Sequence, residues 1–472
     1  MLGKATILLL ISQFALLVSG YTINVGLARF FGPGDYGTFT VVMSFLLVVQ
    51  LFVITGIPIA LQKYIAENLD ASKLLFRKTV PWHVLYSLGV WLLFWLASPV
   101  IASWFSDPAL SLYLRIASVD ILFYGLYKYY LSLHNGLHEF GRQTVMGVAY
   151  SVAKVTTIFA LVFLGFGLKG AIIGNTLGSV GGLIVGMFLV RFPEVTEKLG
   201  EVPFFKFAFT NVFYYVGLQL IFSIDIWSVK YYLNAEMVGQ YSSAASMAKI
   251  PYFLSLAVSS AILPTISLAS KLNNMQRVRD IVRITLRYWL ILLFAMIVVV
   301  SSIAPSLILL FFGEQYRSAG PILAVLFTAI ALVTFFAVMN TVLIARNKLK
   351  PCLAVTGVLI LAHIIANVVL VPRFHGMGAA LATLIVALLG NLLSTLLLLH
   401  DLKVVMPVFS AIRTVTTGVV VILAVYTLPI FDQPFVTKSL MVLSLFLSCL
   451  FLLRELNIAD VKRFQAVLTL KT

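Results

Sequence analysis

Leu27-Ala28-Arg29-Phe30-Phe31-Gly32-Pro33-Gly34-Asp35-Tyr36-Gly37-Thr38-Phe39 is a short polar turn set between two long apolar runs, residues 5–28 and 38–62. Each run is long enough to cross a ~30 Å hydrocarbon core as a helix, which takes about 20 residues. Glycine and proline punctuate the turn, and an arginine and an aspartate flank them. The segment reads as the tip of a membrane hairpin.

Outward from that hairpin, apolar blocks alternate with short polar breaks along all 472 residues. Hydrophobic residues make up 61% of the chain and charged residues 11%, and mean hydropathy is +1.05. Soluble domains run near a quarter charged, so secreted, cytosolic and disordered readings are excluded. The blocks predict fourteen spans, at 5–28, 38–62, 81–104, 110–133, 144–165, 168–190, 207–231, 241–269, 284–312, 320–345, 351–371, 377–400, 409–430 and 436–453. The fold class is therefore an all-α polytopic membrane protein. Connectors are too short to hold a soluble catalytic or nucleotide-binding domain, and no Gly-x-x-x-x-Gly-Lys-Ser/Thr run is present. The chain is read as a non-enzyme without a cofactor. Cys352 and Cys449 lie inside apolar segments, which argues against a disulfide framework or a zinc site.

Lys and Arg number 33 against 17 Asp and Glu, a net charge of +16. Cytoplasmic loops collect cations, and that rule absorbs the excess without nucleic acid. With the N-terminus inside, cytoplasmic segments hold 22 of the 33 cations, among them Lys4, Lys198, Lys206, Lys462, Arg463 and Lys471. The opposite side holds only Arg29, Lys169, Lys230, Arg317, Arg373 and Lys438. Both termini are expected in the cytoplasm of a cell membrane, the inner one where there are two.

The halves of the chain resemble each other. Arg29 to Phe39 is a cation, two aromatics, an acidic turn, a glycine and an aromatic, and Lys230 to Tyr241 repeats that order. Further on, Arg142 and Gly147 match Lys350 and Gly357, and Gly167-Leu168-Lys169-Gly170-Ala171 echoes His375-Gly376-Met377-Gly378-Ala379. The offset is six spans, an even number, so the copies share one orientation, as parallel repeats that flank a substrate path do. This divides the chain into lobes 1–206 and 207–400, with spans thirteen and fourteen in 401–472.

The Gly-Lys start of the first span, the Leu27–Phe39 segment, Gly56-Ile57-Pro58 and Tyr64-Ile65-Ala66-Glu67 resemble polysaccharide-biosynthesis flippases. These are the Wzx-type oligosaccharide flippases of the MOP (multidrug/oligosaccharidyl-lipid/polysaccharide) exporter superfamily. The resemblance implies two six-helix lobes plus two further helices. It also implies outward movement of a polyprenyl-linked oligosaccharide by alternating access, with membrane lipids and polysaccharide-assembly proteins as partners.

A charged side chain at bilayer depth costs a few kcal/mol, so it faces a cavity or a partner. A lipid-linked sugar carries a phosphate or pyrophosphate that calls for Lys or Arg. Arg29 and Lys230 end spans one and seven, which in that family line the central cavity; they either face the anionic head group or snorkel to the outer interface. Lys154, mid-depth in span five, and Lys249, inside span eight before Pro251, complete the head-group candidates. Arg115 and Lys128, near the ends of span four, are assigned to snorkelling or ion pairing, and Arg287 to an interface. Asp120 and Asp225 either couple a Na⁺ or H⁺ gradient or form structural ion pairs.

Asn24, Gln50, Gln219 and Asn367 either bind sugar or join helices. His363 reads as helix packing, and His134 with His138 lack a third metal ligand. Gly174, Gly178, Gly182 and Gly186 form a small-residue packing stripe in span six. Pro58, Pro251 and Pro264 are kink candidates in spans two and eight. The other functions open to such a chain are a cation-coupled MATE-type exporter of small molecules, a membrane glycosyltransferase or ligase, and a scaffold. A charged interior argues against the first, and short connectors argue against the second.

Overall fold

A computed structural model of the chain describes residues 2–192, 212–403, 408–431 and 433–457, positions 204, 205, 208 and 460, and side chains from residue 8 onward. Lys198, Lys206, Lys462, Arg463 and Lys471, the 206/207 lobe boundary and the side chain of Lys4 lie outside that description. Among the described residues every regular element is helical, and ten helices are long and apolar enough to cross a membrane.

Three of those ten are too long for one crossing. Leu2–Ile54 holds 53 residues and Leu349–Leu402 holds 54, about 80 Å each if straight. Phe140–Leu189 holds 50. Each breaks and doubles back. At Gly32 (φ +74) the chain reverses, and the Tyr36 hydroxyl donates to Asn24 Oδ1 at 3.0 Å. In a continuous helix those residues would be about 18 Å apart. At Gly165 and Gly167 it reverses again, so that Thr157 Oγ1 donates to the Gly174 carbonyl at 2.7 Å. At His375 it reverses a third time, and Thr383 Oγ1 comes 3.4 Å from His363 Nε2. Counting each of these as two spans, and adding the bent pair Val212–Ile221 and Ile224–Tyr232, raises ten to fourteen. The polytopic all-α reading stands.

The repeat is visible in backbone angles. Gly167 has φ 55 and ψ −139, and its counterpart His375 has φ 54 and ψ −134. The same turn closes both hairpins, with glycine in one copy and histidine in the other. Spans two and eight break beside Pro58 and Pro251, whereas Pro264 lies inside an unbroken helix. Ile57–Glu67 begins anew with Pro58 in its first turn, and Ile250–Lys271 begins with Pro251 after a break at Lys249. Span seven also breaks, with a 44° bend between Ile221 and Ile224 that no proline or glycine announces.

By contacts the chain divides into two compact units, Met1–Ser242 and Ser243–Thr472. In the first unit, Val212–Tyr232 packs on span two. Trp227 stacks on Phe45 with centroids 4.3 Å apart, and its Nε1 donates to Ser44 Oγ at 2.8 Å. The repeat glycines meet there as well. A Cβ on Gly37 would lie 2.5 Å from the Ala235 carbonyl, and one on Gly239 would lie 1.9 Å from that of Pro33. Only glycine lets these two turns touch.

In the second unit, Met275–Phe312 packs against Ala319–Ala345, Val408–Thr427 and Phe435–Leu452. The last two are the pair outside the repeat.

Candidate functional site

The first unit encloses a polar cluster in an otherwise apolar interior. It starts from the glycine stripe. A Cβ on Gly174 would fall 2.5 Å from Ile158 Cα, and one on Gly178 would fall 2.6 Å from Lys154 Cα. The stripe therefore draws span six hard against span five. Asn175 and Ser179 flank Gly178, one turn apart on the same helix, and the close approach carries both to Asp120.

Asp120 is 1% exposed. Its Oδ2 accepts from Asn175 Nδ2 at 2.7 Å and from Gln50 Nε2 at 2.9 Å. Its Oδ1 faces the Ser179 hydroxyl, and neither atom has another hydrogen-bond partner among the described residues. Asp120 opens the helix Asp120–Gly136, because span four is broken at Val119 after Pro108–Ser118. A carboxylate in the first turn of a helix is favoured by the dipole, which offsets part of the cost of its burial. Lys154 lies within electrostatic reach of Asp120 without closing an ion pair. Its Nζ is 3.4 Å from the Tyr150 hydroxyl and 5.6 Å from the centre of that ring.

The other candidates stand elsewhere. Lys230 forms an ion pair with Asp107 at 2.7 Å. Asp225 is 4% exposed and, like Asp120, begins the second half of a broken span. It accepts from the Tyr241 hydroxyl and, at 2.7 Å, from the Ile226 amide. Arg29 is exposed, three residues before the Gly32 turn. Lys249 is partly buried at the break in span eight and belongs to the second unit. Of the six candidates, Lys154 and Asp120 are brought within electrostatic reach of each other.

Of the four amides, Gln50 and Asn24 join spans, whereas Gln219 and Asn367 bond to a residue four positions away along their own span. Gln50 links span two to Asp120, and Asn24 receives Tyr36. Asn367 Nδ2 donates to the His363 carbonyl at 2.9 Å. His134 Nδ1 contacts Glu139 at 2.7 Å, so it is occupied locally. His363 is fully buried, as helix packing requires. His83 is also fully buried, stacked on Tyr129 at 4.8 Å with Nε2 3.0 Å from the Gly125 carbonyl.

Residues 26–321, more than half the chain, match the family model described as "Polysaccharide biosynthesis protein". The chain belongs to that family. A curated relative, the probable low-salt glycan biosynthesis flippase Agl15 of Haloferax volcanii, is 23% identical over 261 residues. That match covers 54% of this chain and 54% of the relative, so the chain spans about half its length. Among solved structures, the lipid II flippase MurJ in an inward closed conformation superposes with a TM-score of 0.76 at 17% identity. It covers 96% of this chain and 99% of MurJ. An inward-facing multidrug resistance MATE family transporter of the MOP superfamily gives 0.66 at 15% identity, covering 83% of this chain and 98% of its own. The fold is that of these polytopic transporters, and the family expected from the Leu27–Phe39 turn is the family found.

Proposed function

We propose that the chain is a flippase that carries a polyprenyl-(pyro)phosphate-linked oligosaccharide from the cytoplasmic to the outer leaflet by alternating access, for cell-surface polysaccharide assembly. The observation that carries this reading is Lys154, held within span five in reach of the buried Asp120 and closing no ion pair among the described residues. A transporter of an anionic lipid head group needs a cation that is free to accept it.

On this reading Arg29, Lys154, Lys230 and Lys249 serve the head group, and Asp120 and Asp225 bind the coupling Na⁺ or H⁺. Lobes 1–206 and 207–400 are the six-span repeats of that transporter, and 401–472 supplies the extra pair of spans. Both termini lie in the cytoplasm, and polysaccharide-assembly proteins are the partners. A small-molecule exporter of MATE type is the second reading; the MATE superposition favours it only at the level of fold.

The test is export of a lipid-linked glycan in cells that depend on this chain. Neutralising Lys154 abolishes export at unchanged membrane abundance, and neutralising Arg29, Lys230 or Lys249 lowers it. Normal export in all four variants overturns the assignment.

A further inference from the structure

Lys128 stands outside the site drawn above, yet it is built into the same cluster. Two lysines each follow a tyrosine by one helical turn: Tyr124 precedes Lys128, and Tyr150 precedes Lys154. Lys128 Nζ lies 5.3 Å from the centre of the Tyr124 ring and 5.7 Å from that of Tyr127. Lys154 Nζ lies 5.6 Å from that of Tyr150. Tyr127 and Tyr150 stack on each other with centroids 4.7 Å apart at 17°, and Tyr124 sits 5.8 Å from both. The three rings bridge the two lysines, which feel each other as like charges.

Among the described residues neither lysine has a carboxylate within ion-pair distance, and Asp120 is the acid nearest to Lys154 in effect. Two like charges, of which only Lys154 feels the buried Asp120, leave an excess of positive charge within the unit, an arrangement that calls for an anion. The flexible ammonium groups, with three rotating donors each, suit a diphosphate whose oxygens have no single plane.

We propose that Lys128 and Lys154 form a two-step diphosphate clamp, with Tyr124, Tyr127 and Tyr150 as the aromatic platform that carries the first sugar. This rests on the flippase reading and names its head-group subsite. On the orientation given above, span four ends at the cytoplasmic side near 133 and span five starts there at 144. Lys128 then lies about 8 Å inside that edge and Lys154 about 15 Å inside. The head group meets Lys128 first and passes to Lys154. The tyrosine hydroxyls and ring faces suit the C–H and O–H faces of a pyranose.

The full-length protein is reconstituted in phosphatidylcholine nanodiscs and titrated with farnesyl diphosphate and farnesyl monophosphate. The wild type prefers the diphosphate. Lys128→Gln and Lys154→Gln each weaken diphosphate binding about tenfold and remove that preference, while Lys128→Arg restores most of it. On the unmutated protein, farnesyl diphosphate shields Lys128 and Lys154 from amine acetylation read by mass spectrometry, so the test stands even where a Gln variant fails to fold. Undiminished binding in both Gln variants, or acetylation unchanged by the probe, overturns the clamp alone. Equal protection by phosphatidylglycerol assigns the lysines to bulk anionic lipid and also overturns it. A wild type that binds no prenyl diphosphate overturns the flippase reading with it.

Discussion

Two clusters of buried charge, one in each unit, are built on opposite principles. In the second unit, Arg287 donates from Nε to Glu455 Oε1 at 2.8 Å and from Nη2 to Asp460 Oδ2 at 3.3 Å. Ser410 serves Glu455 Oε1, Arg413 stands 3.9 Å from Oε2, and the Tyr288 hydroxyl donates to Asp460 Oδ1 at 2.5 Å. Two arginines face two carboxylates, and three of the four carboxylate oxygens accept hydrogen bonds while Arg413 stands near the fourth. In the first unit, Lys154 reaches one carboxylate, Asp120, without an ion pair, and Lys128 has no carboxylate within ion-pair distance among the described residues. The first arrangement is a clasp that ties the segment after span fourteen to spans nine and thirteen. The second holds its cations near aromatic rings rather than in ion pairs.

The comparison is broken most directly by measuring what each cluster does for stability. Arg287→Ala strands Glu455 and Asp460, both under 4% exposed, without their main cation. Breaking a buried pair from one side costs about 3–5 kcal/mol. The expected result is a large fall in the thermal midpoint of the detergent-solubilised protein; an unchanged midpoint would show that the clasp holds nothing. Replacing the group together, Arg287→Met with Glu455→Leu and Asp460→Leu, should recover most of that loss, since no charge is left stranded. Recovery absent, the loss belongs to packing rather than charge.

Asp120→Asn sharpens the contrast from the other side. Its side-chain oxygen can still accept from Gln50 and Asn175, so stability should move by only about 1 kcal/mol. Glycan export should nevertheless stop. A variant that melts as early as Arg287→Ala would make Asp120 a structural residue and remove the distinction between the clusters.

How much of this could be read beforehand follows from the range of the interactions. The fourteen spans, the hairpin turns at Gly32 and at 165–167, the breaks at Pro58 and Pro251 and the glycine stripe are local patterns, and each appears where its residues put it. Depth along the sequence marks Lys154 as a mid-span lysine, but it says nothing of the rings around Lys128. Asp107 and Lys230 are 123 residues apart, and nothing local announces their pairing. Val119 and Phe222 carry no breaking signal, yet the helices break beside them and leave Asp120 and Asp225 each in the first turn of the helix that follows.

The smallest effect expected is one of pH, and it separates the clusters again. Burial pushes the Asp460 carboxyl up, but the Tyr288 hydroxyl, the Asn457 backbone and Arg287 outweigh it and hold the group below the ordinary carboxylate range. A carboxyl depressed in the folded state stabilises it above the unfolded value, near 3.9, and that stability is lost as pH falls through the folded value. The clasp should therefore be insensitive between neutrality and about pH 4 and loosen only in stronger acid. Thermal midpoints taken from pH 7 to pH 3 measure this directly. Asp460→Asn should lower the midpoint at pH 7 and flatten its decline in acid. An equal acid slope in that variant would place the titrating group elsewhere and leave the clasp a matter of geometry alone.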